Sequence, residues 1–226
     1  MNLKTVFILS FLSMILSCTP LAYFPSKLNP PHFSDAGNFQ VSVAATTTSE
    51  YSLQTAISPM KYVGLYYVRY GHIPKWTDYK HLSNEFGGGT YYSFDVNNYV
   101  GLYGGYSRGY VDAKNNDGRV YNKFNQYSAV LVIDRKEKSG VLSGSLRLDY
   151  HKMSDYSRQE KINGTWKNTY YDALKNIYWT PSIGRTFGTS SGALQLRFVA
   201  SIPTKKSVQE VYFYISGGLL FDFKLW

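Results

Sequence analysis

The stretch VYFYISGGLLFDFKLW, residues 211–226, divides into two sets when every second residue is taken. Val211, Phe213, Ile215, Gly217, Leu219, Phe221, Phe223 and Leu225 form an apolar set. Tyr212, Tyr214, Ser216, Asp222 and Lys224 fall in the other. A period of two is the mark of a β-strand with unlike faces. The length exceeds an ordinary strand and is more than the roughly 9–11 residues a tilted strand needs to cross a bilayer. The apolar face therefore meets either a protein core or lipid.

Working back toward the N-terminus, the same alternation recurs. It is read in FQVSVAAT (39–46), YSLQTAIS (51–58), KYVGLYYVRY (61–70), NEFGGGTYYSF (84–94) and YVGLYGGYSRGYV (99–111). It continues in FNQYSAVLVID (124–134), GVLSGSLRLDYH (140–151), IYWTPSIGRTF (177–187) and ALQLRFVASI (193–202). With the last stretch this predicts about ten strands and an all-β, antiparallel up-and-down barrel of the transmembrane, outer-membrane type. Pro181 cannot donate to a ladder, so a bulge is expected there. Composition agrees: 22 Tyr, 13 Phe and 19 Gly accompany only 17% charged residues, below the quarter usual in soluble domains.

Connection lengths add an independent regularity. Those at 58–60, 95–98, 134–139 and 188–191 are short. Those at 71–83, 112–120 and 152–175 are longer and polar, with TTTSE (46–50) the exception on that side. Outer-membrane barrels have short periplasmic turns and longer outer loops, so both termini are expected on the periplasmic side. In a soluble barrel or sandwich the apolar face would instead point inward.

The first residues read MNLKTVFILSFLSMILSC. Lys4 and the uncharged run Val6 to Leu16 have the form of a signal peptide, and the run is too short to span a bilayer. Ile15-Leu16-Ser17-Cys18 resembles a bacterial lipobox. Cys18 is the one cysteine of the chain, which rules out an internal disulfide and thiolate-rich metal sites. The expected organisation is a lipoprotein signal peptide at 1–17, a lipidated Cys18 with a Pro-rich tether through 37, and a barrel at 38–226. Several acyl chains at Cys18 anchor far better than one. No acidic cluster follows Cys18, which favours a lipid anchor on the periplasmic side of the outer membrane.

The order YFPSKLNPPHFSDAGNFQVSVAATT, YSLQTAISPMKYVGLYY, GGGTYYSF, YVGLYGGYSRGYV and YNKFNQYSAVLVID resembles a set of small outer-membrane β-barrel lipoproteins of Gram-negative bacteria. The resemblance runs over nearly the whole mature chain through glycine and aromatic spacing. It implies a fold and a location and no activity. In one respect the chain departs from outer-membrane barrels in general. Their terminal aromatic shares a face with the apolar residues, whereas Trp226 shares its face with Lys224 and Asp222.

Chemistry is sparse. Asp149 and His151 in LDYH stand on one luminal face, an arrangement that could orient an imidazole as a general base and looks like one half of the omptin protease site. Asp78 and Glu85 are the acidic candidates for the facing pair and form no matching motif. A luminal ion-pair network with Arg147 and Arg197 accounts for the same residues. A lipid A-modifying site would need a Ser/His pair, and His32, His72 and His81 fall in the tether or one outer loop. No metal-ligand spacing, phosphate loop or nucleic-acid module is present, and no cofactor is expected. In the 152–175 segment Lys152, Arg158, Lys161, Lys167 and Lys175 outnumber Asp155, Glu160 and Asp172. Within a chain of net charge +9, that segment suits an anionic surface ligand such as lipopolysaccharide. Inward Tyr62, Tyr66, Tyr91, Tyr103, Tyr178, Tyr212 and Tyr214 are expected to occupy the lumen and leave little conductance.

The expected role is thus structural or interaction-based, through outer loops and membrane lipids. A tethered periplasmic lipid-binding barrel is the alternative, and an omptin-like or lipid-modifying enzyme the remote one.

Overall fold

A computed structural model describes residues 31, 33, 35–47, 50–72, 79–114, 118–162, 165–171, 175–189, 192–204 and 212–225. Cys18, His32, Asp78 and the leader lie outside the described residues. The strands are β1 (Asn38–Thr46), β2 (Glu50–Met60), β3 (Val63–His72), β4 (Tyr79–Ser93), β5 (Asn98–Lys114) and β6 (Gly118–Glu137). They continue with β7 (Gly140–Ile162), β8 (Thr165–Tyr171), β9 (Lys175–Thr189), β10 (Gly192–Pro203) and β11 (Tyr212–Lys224). Sequential neighbours pair antiparallel except β8 and β9, β9 pairs with β7 instead, and β1 pairs with β11, so the sheet closes. Ten strands make the wall. β8 pairs with the far end of β7 alone, where β7 has left β9 behind.

The alternation read from the sequence is the inside/outside alternation of the wall. Phe198 is 58% exposed, Ile183 56% and Leu102 58%, while their neighbours Arg197, Gly184 and Tyr103 are buried. The opening stretch follows the pattern: Leu219, Phe221, Phe223 and Leu225 face out, and Asp222 accepts from the amides of Asn38 and Gln40 on the other face. Trp226 lies outside the described residues. Apolar outside and polar inside is the reverse of a soluble barrel, and it is the fold class expected from the sequence.

Following the paired register from Lys123 of β6 around the barrel returns to β6 at Arg135. This stagger means the strands tilt against the barrel axis. On β6 the outward run between Tyr127 and Arg135 holds Ala129, Leu131 and Ile133. Those eight residue steps span roughly 27 Å along the strand at about 3.4 Å per residue. At a tilt near 40° that is a height of about 21 Å, most of the apolar band of about 25 Å of membrane barrels.

Four expectations need correcting. The segments 71–83 and 112–120 are mostly wall: β3 runs to His72, β4 starts at Tyr79, β5 runs to Lys114 and β6 starts at Gly118. Likewise 152–175 is largely the β7–β8 hairpin, because polar residues can continue a ladder above the apolar belt. Pro181 makes no bulge. It sits in register with Leu146, and the pairing with β10 lapses after Val199↔Ser182 and resumes unshifted at Ile202↔Trp179. The missing N–H costs ladder contact without slipping the strand. Bulges occur instead between Ile57 and Met60 and between Tyr121 and Lys123. Finally, Tyr62 does not face inward. It occupies the tight β2–β3 turn at φ 70, exposed beside Tyr92, whose ring in turn meets Phe94 edge-on. The Tyr212 side chain lies outside the described residues.

The turns at the end that carries the termini are tight. Gly140, at φ 143, opens β7, and a Cβ there would lie 1.7 Å from the Thr186 carbonyl oxygen. In the β4–β5 turn the Asp95 carboxylate accepts from the backbone N–H groups of Asn97 (2.7 Å) and Asn98 (2.8 Å) and from the Asn98 amide (2.7 Å). The Asn98 side chain first, then these N–H groups, hold its pKa below the usual aspartate value. A lowered carboxyl stabilises the folded turn above the unfolded value, and that contribution disappears as pH falls through the folded value. The Asn97 and Asn98 amide resonances are therefore expected to titrate together, with an inflection below pH of about 4. An inflection at or above that value would contradict the turn geometry.

Candidate functional site

The inward faces of the wall converge on a layered lumen. Toward the end with the termini, the layer is aromatic. Phe33, ahead of β1, is buried within it together with Ala56, Tyr66, Tyr91, Tyr103 and Val132. The Phe33 ring lies 5.6 Å from that of Tyr91, and Tyr103 Oη donates to the Pro31 carbonyl oxygen at 3.2 Å. Gly64 provides the seat: a Cβ there would lie 2.5 Å from Phe33 Cε2. Ser58 Oγ and Tyr91 Oη share a 2.8 Å hydrogen bond below it. The described part of the segment assigned to the tether thus enters the barrel. Its sequence signal was weak, because Tyr23, Phe24 and Phe33 among four prolines show no periodicity.

The middle layer is charged. Glu85 on β4 and Arg147 and Asp149 on β7 are buried together, with side chains 0%, 4% and 0% exposed. Arg147 donates through Nη2 and Nη1 to Glu85 Oε2 and Oε1 at 2.9 and 3.2 Å. Its Nε donates to Asp149 Oδ1 at 2.7 Å. Tyr66 Oη (2.9 Å) and Ser128 Oγ (3.2 Å) also donate to Glu85, and Gln126 Nε2 donates to Asp149 at 2.7 Å. One guanidinium therefore serves two carboxylates, which hydroxyl and amide donors further satisfy. Arg197, expected in the same network, instead donates to Ser182 (2.9 Å), Ser143 (3.2 Å) and Ser145 (3.3 Å).

Above this lies a ring layer. The His151 ring is 4.7 Å from Phe124 and 6.1 Å edge-on to Tyr178. His81 stands on the other side of Phe124 at 6.0 Å and faces Glu50 at 3.7 Å. The pair singled out in LDYH is thus on one luminal face as expected, but its members serve different layers. Asp149 is engaged by Arg147 and Gln126, and His151 packs among rings. Glu85 does reach the same network, through Arg147, a link that strand-by-strand reading could not supply. Among the described residues no group of three His, Cys, Asp or Glu side chains could hold a metal ion.

A closed antiparallel barrel with a polar, ion-paired interior and an apolar exterior has the architecture of outer-membrane-type barrels. No protein-family profile matches the chain, and no curated protein matches it. Among solved structures it is similar to the N-terminal β-barrel domain of OprF from Pseudomonas aeruginosa, with TM-score 0.38 and 6% identity over 84% of this chain and 100% of that one. It is similar to the KdgM porin in complex with disordered oligogalacturonate, with TM-score 0.40 and 11% identity over 82% and 99%. It is also similar to the translocator domain of the autotransporter NalP from Neisseria meningitidis, with TM-score 0.45 and 10% identity over 83% and 87%.

Proposed function

We propose that the protein is an outer-membrane β-barrel lipoprotein, anchored through Cys18 on the periplasmic side, with a structural or surface-interaction role and no enzymatic activity. The observation that carries this reading is the exposed apolar belt around a polar lumen. Leaving so much apolar surface in water is unfavourable at about 25 cal/mol per Å², and lipid removes that cost. The tethered periplasmic lipid-binding barrel would need the apolar faces inward, around its ligand. The lumen is occupied by the Phe33 layer, the Arg147 network and the histidine rings, which suits a scaffold with little conductance. Because Asp149 is engaged by Arg147 and Gln126, the omptin-like or lipid-modifying reading has no poised base in its favour. The β7–β8 hairpin presents exposed Lys167 for an anionic surface partner such as lipopolysaccharide.

The test is migration of outer-membrane extracts on an SDS gel, unboiled against boiled, with surface labelling of a cysteine placed at Lys167 on intact cells. A shift on boiling together with surface label is expected. No shift, no label, and release into solution on Cys18→Ser would overturn the reading in favour of a soluble tethered barrel.

A further inference from the structure

Six consecutive strands of the wall each carry at least one exposed, outward cation at the same end of the barrel. They are Arg69 on β3, Lys80 on β4, Arg108 on β5, Lys123 on β6, Lys152 on β7 and Lys175 on β9. They stand beyond a row of outward aromatics joined by direct cross-strand pairing: Tyr67↔Phe86, Phe86↔Tyr106, Tyr106↔Tyr127 and Tyr127↔Tyr150. The rings of Tyr67 and Phe86 are 4.7 Å apart, those of Tyr106 and Tyr127 5.3 Å, and those of Tyr127 and Tyr150 6.4 Å. Aromatic girdles mark the edge of the hydrocarbon layer. Strand tilt sets Arg69 and Arg108 deeper than the lysines, and their long stems reach up to the edge.

The polar residues between the cations reinforce the pattern. The register joins Arg69, Asn84, Arg108, Asn125, Lys152 and Lys175 into one cross-strand row. Tyr67 Oη donates to Asn84 Oδ1 at 2.8 Å, and Tyr106 Oη donates to Asn125 Oδ1 at 2.7 Å. Each tyrosine occupies the amide acceptor and turns the Nδ2 donor away from itself. The row therefore offers donors and positive charge. The nearby outward carboxylate, Asp112, is held two-pronged by Arg119 at 2.8 and 2.8 Å.

We propose that this arc is a binding surface for the phosphate groups of phosphorylated lipid headgroups in the leaflet around that end of the barrel. The inference rests on the membrane reading above and moves the anionic contact from the β7–β8 hairpin to the barrel wall. Adjacent strands are about 4.8 Å apart, so the cations of alternate strands lie on the order of 10 Å apart. Neighbouring cations can thus converge on one phosphate, and the arc can hold several. The apolar belt directly below receives the acyl chains of the same lipids, so headgroup and chain contacts are continuous.

The experiment uses the full chain in neutral detergent, titrated with an acylated diglucosamine bisphosphate and with the same lipid stripped of both phosphates, bound lipid being read by native mass spectrometry. Wild type is expected to prefer the bisphosphate by about a hundred-fold or more, given roughly five-fold per cation at an anionic surface. In K80Q/K123Q/K152Q/K175Q, which keeps Arg69 and Arg108, that preference should fall by about ten-fold or more. R135Q/K136Q, at the opposite end, should behave as wild type. A wild type without phosphate preference, or a quadruple variant that keeps it undiminished, overturns the proposal; the wild-type comparison stands even where a variant fails to fold. The membrane reading has its own readout in the same preparations. A wild type that stays monodisperse in buffer without detergent sinks both, whereas a folded, detergent-requiring barrel indifferent to phosphate sinks the arc alone.

Discussion

Replacing Arg147 with Ala is expected to destabilise the barrel by about 3–5 kcal/mol, the range for breaking a buried ion pair by removing one partner. The cause is specific. Glu85 and Asp149 would remain in the lumen without the guanidinium that now touches both, at 2.9 and 2.7 Å. Ser128, Tyr66 and Gln126 would still donate, but neutral donors do not cancel two like charges. Loss of the compact, heat-modifiable band at rising urea measures the effect, with the midpoint falling well below wild type. The triple replacement E85Q/R147M/D149N should recover most of the loss, since removing a buried network as a unit is often nearly neutral. An Arg147→Ala barrel that unfolds at the wild-type midpoint would mean that water, and not the guanidinium, satisfies the two carboxylates.

The second large effect concerns a residue ahead of the first strand. Phe33→Ala is expected to cost about 3–5 kcal/mol, as for other buried phenylalanines cut to alanine. It removes the ring from a site bounded by Tyr91, Tyr103 and the bare backbone of Gly64. Gly64→Ala should be costly for the same reason, because its new methyl would lie 2.5 Å from Phe33 Cε2. The two should couple: in the Phe33→Ala background only Tyr103 Cε1, at 3.2 Å, still crowds the added methyl, so Gly64→Ala should then cost much less than in wild type. Urea midpoints of the two single variants and the double variant form the cycle. Additive losses would show that the N-terminal segment does not sit in the barrel in solution, and the lumen would then be open at that end.

These two sites mark how far a linear reading reaches. The alternation in 211–226 and its nine counterparts was enough to name the wall strands, because a period of two is a local property of the extended backbone. It also told Arg147, Asp149 and His151 from Leu146, Leu148 and Tyr150, since neighbours on a strand must face opposite ways. It misread the polar ends of β3, β4, β5 and β7 as loops. Hydrophobic contrast vanishes where the wall rises past the apolar belt, while the backbone ladder goes on. Tyr62 was assigned inward by counting through a turn, where parity has no meaning.

The partners inside and along the wall belong to a different order of information. That Glu85 meets Arg147 follows from closure and from the stagger of three intervening strand pairings, and no spacing within β4 or β7 encodes it. That a cation on each of six strands falls at one end depends equally on register, which a one-residue slip would scramble. Phe33 carries no periodic mark; its place is set by a hole that Gly64 leaves open beneath Tyr91 and Tyr103. Local alternation dictates which side chains face lipid and which face the lumen, because that choice needs only the pleat of a single strand. Which luminal groups touch, and what closes the end of the barrel, is set by contacts between strands far apart in the chain, which exist only once the sheet has closed.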